Sequence, residues 1–199
     1  MMTADILYLR LKGACLIIAP LLFALSTFFW QNGEYGVTAG TIIVVANVFW
    51  IPALSGLFGL LKDKMPWYSA LGLFAAMCGA CIGGVAFGLL GYFSTIFHIS
   101  HHAYIQTLTK FPVSSGVLIF WAGPLFPLSL LILGTVLLQK KAVAPLMAVL
   151  ICLGAIAFPV SRIPRIELLA HLADVLLAVP FVIIGYRFIK IPGTVMEKN

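Results

Sequence analysis

The chain has 199 residues, 62% of them hydrophobic and 9% charged, and a mean hydropathy of +1.13. Soluble domains carry roughly 25% charged residues, so this composition excludes a globule covered by polar side chains and points to lipid as the solvent. The net charge of +6 does not signal a nucleic-acid partner, because the basic residues are spread between apolar runs and form no basic–aromatic surface.

A helix of about 20 apolar residues crosses a hydrocarbon core ~30 Å thick. Six such runs follow one another at about 13–30, 38–61, 67–91, 116–138, 142–161 and 167–189. None alternates in polarity as a membrane strand does. The sequence therefore predicts an all-α polytopic membrane protein. Its single transmembrane domain, 1–199, is a compact bundle of six transmembrane helices with a long external connection at 92–115.

The first run follows Arg10 and Lys12 and reads as an uncleaved helix, because it is longer than a signal peptide's apolar core and lacks a clear cleavage site. Phe28, Phe29 and Trp30 at its end read as an interfacial aromatic belt. The loop QNGEYG leads to the second run, where Asn47 is a candidate partner for carbonyls freed by proline. Lys62 and Lys64 precede the third run.

There Gly72, Ala76, Ala80, Gly84 and Gly88 recur at every fourth position. Such a ridge lets neighbouring backbones approach closely and predicts that the third helix is central. Cys78 and Cys81 within it read as packing residues. Side chains three apart on a helix have Cβ atoms ~5–6 Å apart, beyond the ~3.8 Å of a disulfide. Cys15 and Cys152 also lie inside spans. The segment Ala19–Ser26 resembles Gly123–Ser129, a faint match that would make an inverted repeat of the kind some transporters carry. Pro20, Pro52, Pro124, Pro127, Pro159 and Pro180 predict kinks.

With six spans, nine Lys and Arg residues fall on one side (Arg10, Lys12, Lys62, Lys64, Lys140, Lys141, Arg187, Lys190, Lys198) and Lys110, Arg162 and Arg165 on the other. The positive-inside rule then places both termini in the cytoplasm of a cell-membrane protein. The polar tail TVMEKN carries no lipidation signal.

Ionisable residues collect on the outer side. Ser94, His98 and His102 are spaced by four, beside His101, and would share one face of a continuing helix. Glu167, His171 and Asp174 share a face of the sixth helix, with Arg162 and Arg165 just before it. Charged groups inside a membrane face a bundle interior or a water-filled cavity.

Glu167, His171, Asp174, Arg162 and Arg165 are therefore the candidates for ligand binding or proton relay, and His98, His101, His102 and His171 for holding a metal. Zinc or haem is the implied cofactor if one binds. The leading expectation is a non-enzymatic accessory or ligand-binding bundle with an outward His/acid pocket. Two alternatives stay open: a zinc- or haem-dependent membrane enzyme acting near lipid headgroups, and a small proton-coupled transporter. The partners expected are the bilayer, a small molecule or ion, and a second membrane subunit or copy, but no nucleic acid. No ATP-binding loop, dinucleotide fingerprint or serine elbow is present.

Overall fold

A computed structural model describes residues 4–31 and 33–190; the tail after Lys190 and its Lys198 lie outside the described residues, as does the side chain of His101. Six helices are long and apolar enough to cross a membrane. They are α1 (Ala4–Thr27), α2 (Val37–Gly59), α3 (Pro66–Ile96), α5 (Pro112–Gln139), α6 (Pro145–Arg162) and α7 (Glu167–Lys190). Between α3 and α5 lies the short helix α4 (His101–Leu108). The chain is an all-α, multi-pass integral membrane protein.

Pro66, Pro112 and Pro145 each open a helix, where a missing N–H costs nothing. Other prolines lie inside: Pro20 in α1, Pro52 in α2, Pro127 in α5, Pro159 in α6 and Pro180 in α7. Two helices widen into π-helical turns, α3 at Gly79–Gly84 and α5 at Gly116–Trp121. The second lies just before Pro124, which cannot donate to the carbonyl one turn back.

Helix ends differ from the hydropathy reading. α1 begins at Ala4, so Arg10 and Lys12 lie within it, and the Lys12 stem packs against α2 at Gly56. α3 continues to Ile96 because Ser94 and Thr95 donate to the Gly91 carbonyl, at 3.1 and 2.9 Å, and need no outside partner. The connection thus shrinks to residues 97–111, most of it α4, whose start is capped by Ser100 accepting from the Ala103 amide. QNGEYG is part of a hairpin, β1 (Trp30–Gln31) against β2 (Glu34–Tyr35), with Gln31 opposite Glu34. Gly33 before β2 has a positive φ of 76°, which glycine adopts without steric cost.

The central helix is α2, not α3. Half of the most apolar window of α2 is buried, against a third for α3. Trp50, Leu54, Leu57 and Phe58 of α2 are fully enclosed. The small residues of α3 do bring backbones together, the every-fourth glycines against α2 and Gly79 and Gly83 beside them against α5. A Cβ at Gly79 would stand 2.4 Å from the Phe126 amide nitrogen of α5, and one at Gly88 would stand 2.9 Å from the Gly40 carbonyl of α2. α3 is therefore a plate between α2 and α5, with its remaining face turned outward (Trp67, Leu71 and Phe74 are exposed).

Candidate functional site

Polar side chains inside the bundle gather at the hairpin end. Asp174 lies seven residues past the start of α7, about 10 Å along it at 1.5 Å per residue. It is 3% exposed. Its partners come from the last residues of two other helices. Arg162 Nη2 donates to Asp174 Oδ1 at 2.6 Å, and the Thr27 hydroxyl donates to Oδ2 at 2.6 Å. Arg162 Nη1 also donates to the Ser161 hydroxyl at 3.3 Å. The guanidinium lies 4.0 Å from the Phe158 ring centre and 5.8 Å from that of Trp30.

Both ends of the carboxylate are thus satisfied, and the charge is neutralised by a cation that is itself covered by aromatic faces. A buried pair with this many partners avoids the cost that an isolated charge would bring. The arrangement ties α1, α6 and α7 together, and the hairpin closes over it: Trp30 packs edge-on against Tyr35 with ring centres 5.0 Å apart. Burial pushes the Tyr35 phenol up, against a downward pull from the Arg162 charge. The phenol therefore stays protonated at neutral pH.

Next to Arg162 lies a cavity of about 70 Å³. Its walls are mainly aromatic, with Phe23, Phe87, Phe126 and Phe158, and Arg162 and Asn47 supply charge and amide. Phe23, Phe126 and Trp50 form a triangle with ring centres 5.1 to 6.0 Å apart, so these walls are fixed by mutual packing. Asn47 is the eleventh residue of α2, about 15 Å below its start and hence near mid-span. Its Nδ2 donates to the Ile43 carbonyl at 2.8 Å. Its Oδ1 is buried and has no donor among the described residues. An unsatisfied buried acceptor costs about 1–3 kcal/mol. Gly84, in the π-helical turn of α3, makes room for this amide: a Cβ would lie 2.4 Å from Oδ1.

The candidates named from sequence do not form one site. Arg162 and Asp174 meet. Arg165 instead pairs with Glu34 of the hairpin at 2.8 Å, an exposed contact, with φ of 59°. Glu167 is exposed, and His171 is half-buried with its ring 4.5 Å from that of Phe28. The single helical face expected for Ser94, His98 and His102 does not form. α3 ends at Ile96, and His98 takes φ of 52°, a left-handed turn that histidine tolerates better than most residues. Ser94 points inward and His98 and His102 outward, with Gln106 Nε2 lying 2.9 Å from His102 Nε2. Among the described residues no three His, Cys, Asp or Glu side chains are grouped to hold a metal ion.

Thr27, Tyr35 and the cavity role of Asn47 escaped the sequence reading. Thr27 lies 147 positions from Asp174 in the chain, so nothing local links them. Asn47 carried a signal, being the sole amide in an apolar span, but it pointed to a freed carbonyl and not to a cavity. Trp30, expected in the interfacial belt, is 7% exposed and roofs the ion pair, whereas Phe28 and Phe29 remain outside. Comparison of the chain with known protein families, with curated proteins and with solved structures gives no match.

Proposed function

We propose that this integral membrane protein is a non-enzymatic ligand-binding bundle. It takes a small, mostly apolar molecule with a hydrogen-bond donor into the cavity between α1, α2, α3, α5 and α6. The observation that carries this reading is a cavity whose walls combine aromatic rings with Asn47, an amide whose buried Oδ1 has no donor among the described residues. Sites for small molecules have this character: apolar surfaces with a few placed polar groups. In this reading Asn47 orients the ligand, Arg162 receives any acceptor near the mouth, and Asp174 with Thr27 holds Arg162 in place. Glu167, His171 and Arg165 stand at the rim. The hairpin end faces away from the cytoplasm of a cell membrane. That orientation rests on charge: among the described residues eight Lys and Arg lie toward the other end and three at this one.

The cavity volume of about 70 Å³ suits a group of a few heavy atoms, since a single water needs roughly 10–15 Å³ on the same scale. The test is a titration of the full chain in lipid nanodiscs with 1-butanol, read by Trp50 fluorescence. Trp50 touches both Phe23 and Phe126, and a Trp50→Phe variant isolates its emission. The expected result is a saturable shift that Asn47→Leu weakens by at least tenfold. A linear response, equal in the two proteins, would reflect partition into lipid alone and would contradict the reading.

A second reading, proton-coupled transport, is favoured by the reach of the cavity from the hairpin end to mid-span and by the proline inside five of the six spans. It requires Asp174 to exchange protons during a cycle. Substrate-dependent proton uptake in vesicles that Asp174→Asn leaves unchanged would remove it.

A further inference from the structure

The segment that joins α3 to α5 lines no part of the aromatic cavity and plays no part in the ligand binding proposed above. Its level in the bilayer follows from the helices that carry it. α3 has 31 residues and α5 has 28, about 46 and 42 Å at 1.5 Å per residue. The hydrocarbon core is ~30 Å thick, and the bilayer with its headgroups ~40–45 Å. Both helices are thus long enough to reach through the headgroups, which puts the connection 97–111, α4 included, at that level. α6, with 18 residues, matches the core alone at about 27 Å.

Three features give this segment one chemical character. His98 and His102 are exposed, and so is Lys110 beyond the far end of α4. No Asp or Glu occurs between Asp63 and Glu167, so no carboxylate of α3, α4, α5 or α6 opposes these groups. Phe97, Phe111 and Val113 flank α4 and are 62 to 80% exposed, as suits side chains that enter the boundary between headgroups and acyl chains. The other titratable groups near this end are Tyr92 on α3, Tyr104 on α4, Glu34 paired with Arg165 at 2.8 Å, and Glu167 and His171 at the start of α7. Among the described residues none of them forms an ion pair or hydrogen bond with the ring of His98 or His102. Gln106 Nε2 lies 2.9 Å from His102 Nε2, and an amide that can present either oxygen or nitrogen suits both charge states of the ring.

We propose that this segment binds the headgroups of anionic phospholipids, and binds them more tightly as pH falls. Lys110 supplies a constant charge. His98 and His102 supply a conditional one, because histidine is the side chain that ordinarily gains its proton between pH 8 and pH 5. A phosphate favours the protonated imidazole, so the added preference is present at the acid end of that range and is lost as pH rises through it. The exposed apolar side chains beside the cations select a phosphate that carries acyl chains over one free in solution.

The full chain carrying Ala103→Cys, an exposed position on α4, is reconstituted in phosphatidylcholine vesicles and labelled from the aqueous side with a fluorescent maleimide. The native cysteines lie within spans. Doxyl-labelled phosphatidylglycerol or phosphatidylcholine is then added at equal fractions, and each quenches the label according to its local concentration. The anionic lipid should quench at least about twofold more than the zwitterionic one at pH 5, and its excess should fall by half or more at pH 8. His98→Gln combined with His102→Gln should remove at least half of that pH-dependent part. Lys110→Gln should lower the excess at both pH values, and Lys140→Gln, at the other end of the bundle, should leave it unchanged. All of these side chains are exposed, so the variants should fold, and a thermal midpoint within a few degrees of wild type checks this. Equal quenching by the two lipids at pH 5, an excess that does not change with pH, a double-histidine variant that keeps more than half of the pH dependence, or a loss with Lys140→Gln as large as with Lys110→Gln would overturn the proposal.

Discussion

At the scale of single residues, the Arg162–Asp174 contact joins the two groups that lipid tolerates least. Asp174 offers two oxygens, and each has a donor at 2.6 Å. Removing one partner leaves the other charge buried and uncompensated, at a cost of about 3–5 kcal/mol, whereas removing both is often near neutral. Asp174→Leu should therefore be strongly destabilised, and Arg162→Met combined with Asp174→Leu should recover most of the loss. Equilibrium unfolding in bicelles measures both, and additive losses would contradict the pairing. Glu34→Gln, by contrast, should cost less than about 1 kcal/mol, because the Arg165 pair is exposed. Arg162 and Asp174 were both legible in the sequence as charges beside or within an apolar span. Their pairing was not. The helical spacing of Glu167, His171 and Asp174 suggested mutual contact along α7, but the Asp174 partners come from α1 and α6.

At the scale of elements, the contact between α3 and α5 depends on small residues in a π-helical turn. A Cβ at Gly83 would stand 2.6 Å from the Ala122 carbonyl carbon, and one at Gly79 would be 2.4 Å from the Phe126 backbone nitrogen. Backbone cannot swing aside as a side chain can. Gly83→Val should therefore push α3 from α5, lowering the thermal midpoint of unfolding and opening the aromatic cavity. Gly59→Ala meets nothing within 4 Å and should leave the midpoint within a few degrees of wild type. Equal effects of the two would contradict this packing. Every-fourth-residue spacing announced the close approach. It could not say that its glycines meet α2 while Gly79 and Gly83, beside that row, meet α5, because that depends on which elements stand on either side. The positions of the six spans were legible from apolar length. The true ends were not, since Ser94 and Thr95 bond to their own helix, and hydropathy reads them as polar stops.

At the scale of the whole molecule, hydropathy and charge together describe a lipid-embedded bundle with a basic end and a hairpin end. The proposed orientation is checked with a membrane-impermeant maleimide on intact cells. Lys110→Cys should label and Lys140→Cys should not, the four native cysteines all lying within spans; the reverse pattern would invert the topology. The cavity itself was the least legible feature, because its walls come from five helices and its polar contact is an amide that, in the sequence, looked ready to serve its own backbone. The most direct test of the ligand-binding account is an experimental density map of the full chain in lipid, at a resolution that shows ordered small groups. The account expects density within hydrogen-bond distance of Asn47 Oδ1, enclosed by Phe23, Phe87 and Phe126. A cavity closed by those rings, with Oδ1 bonded to a donor of the protein itself, would contradict it.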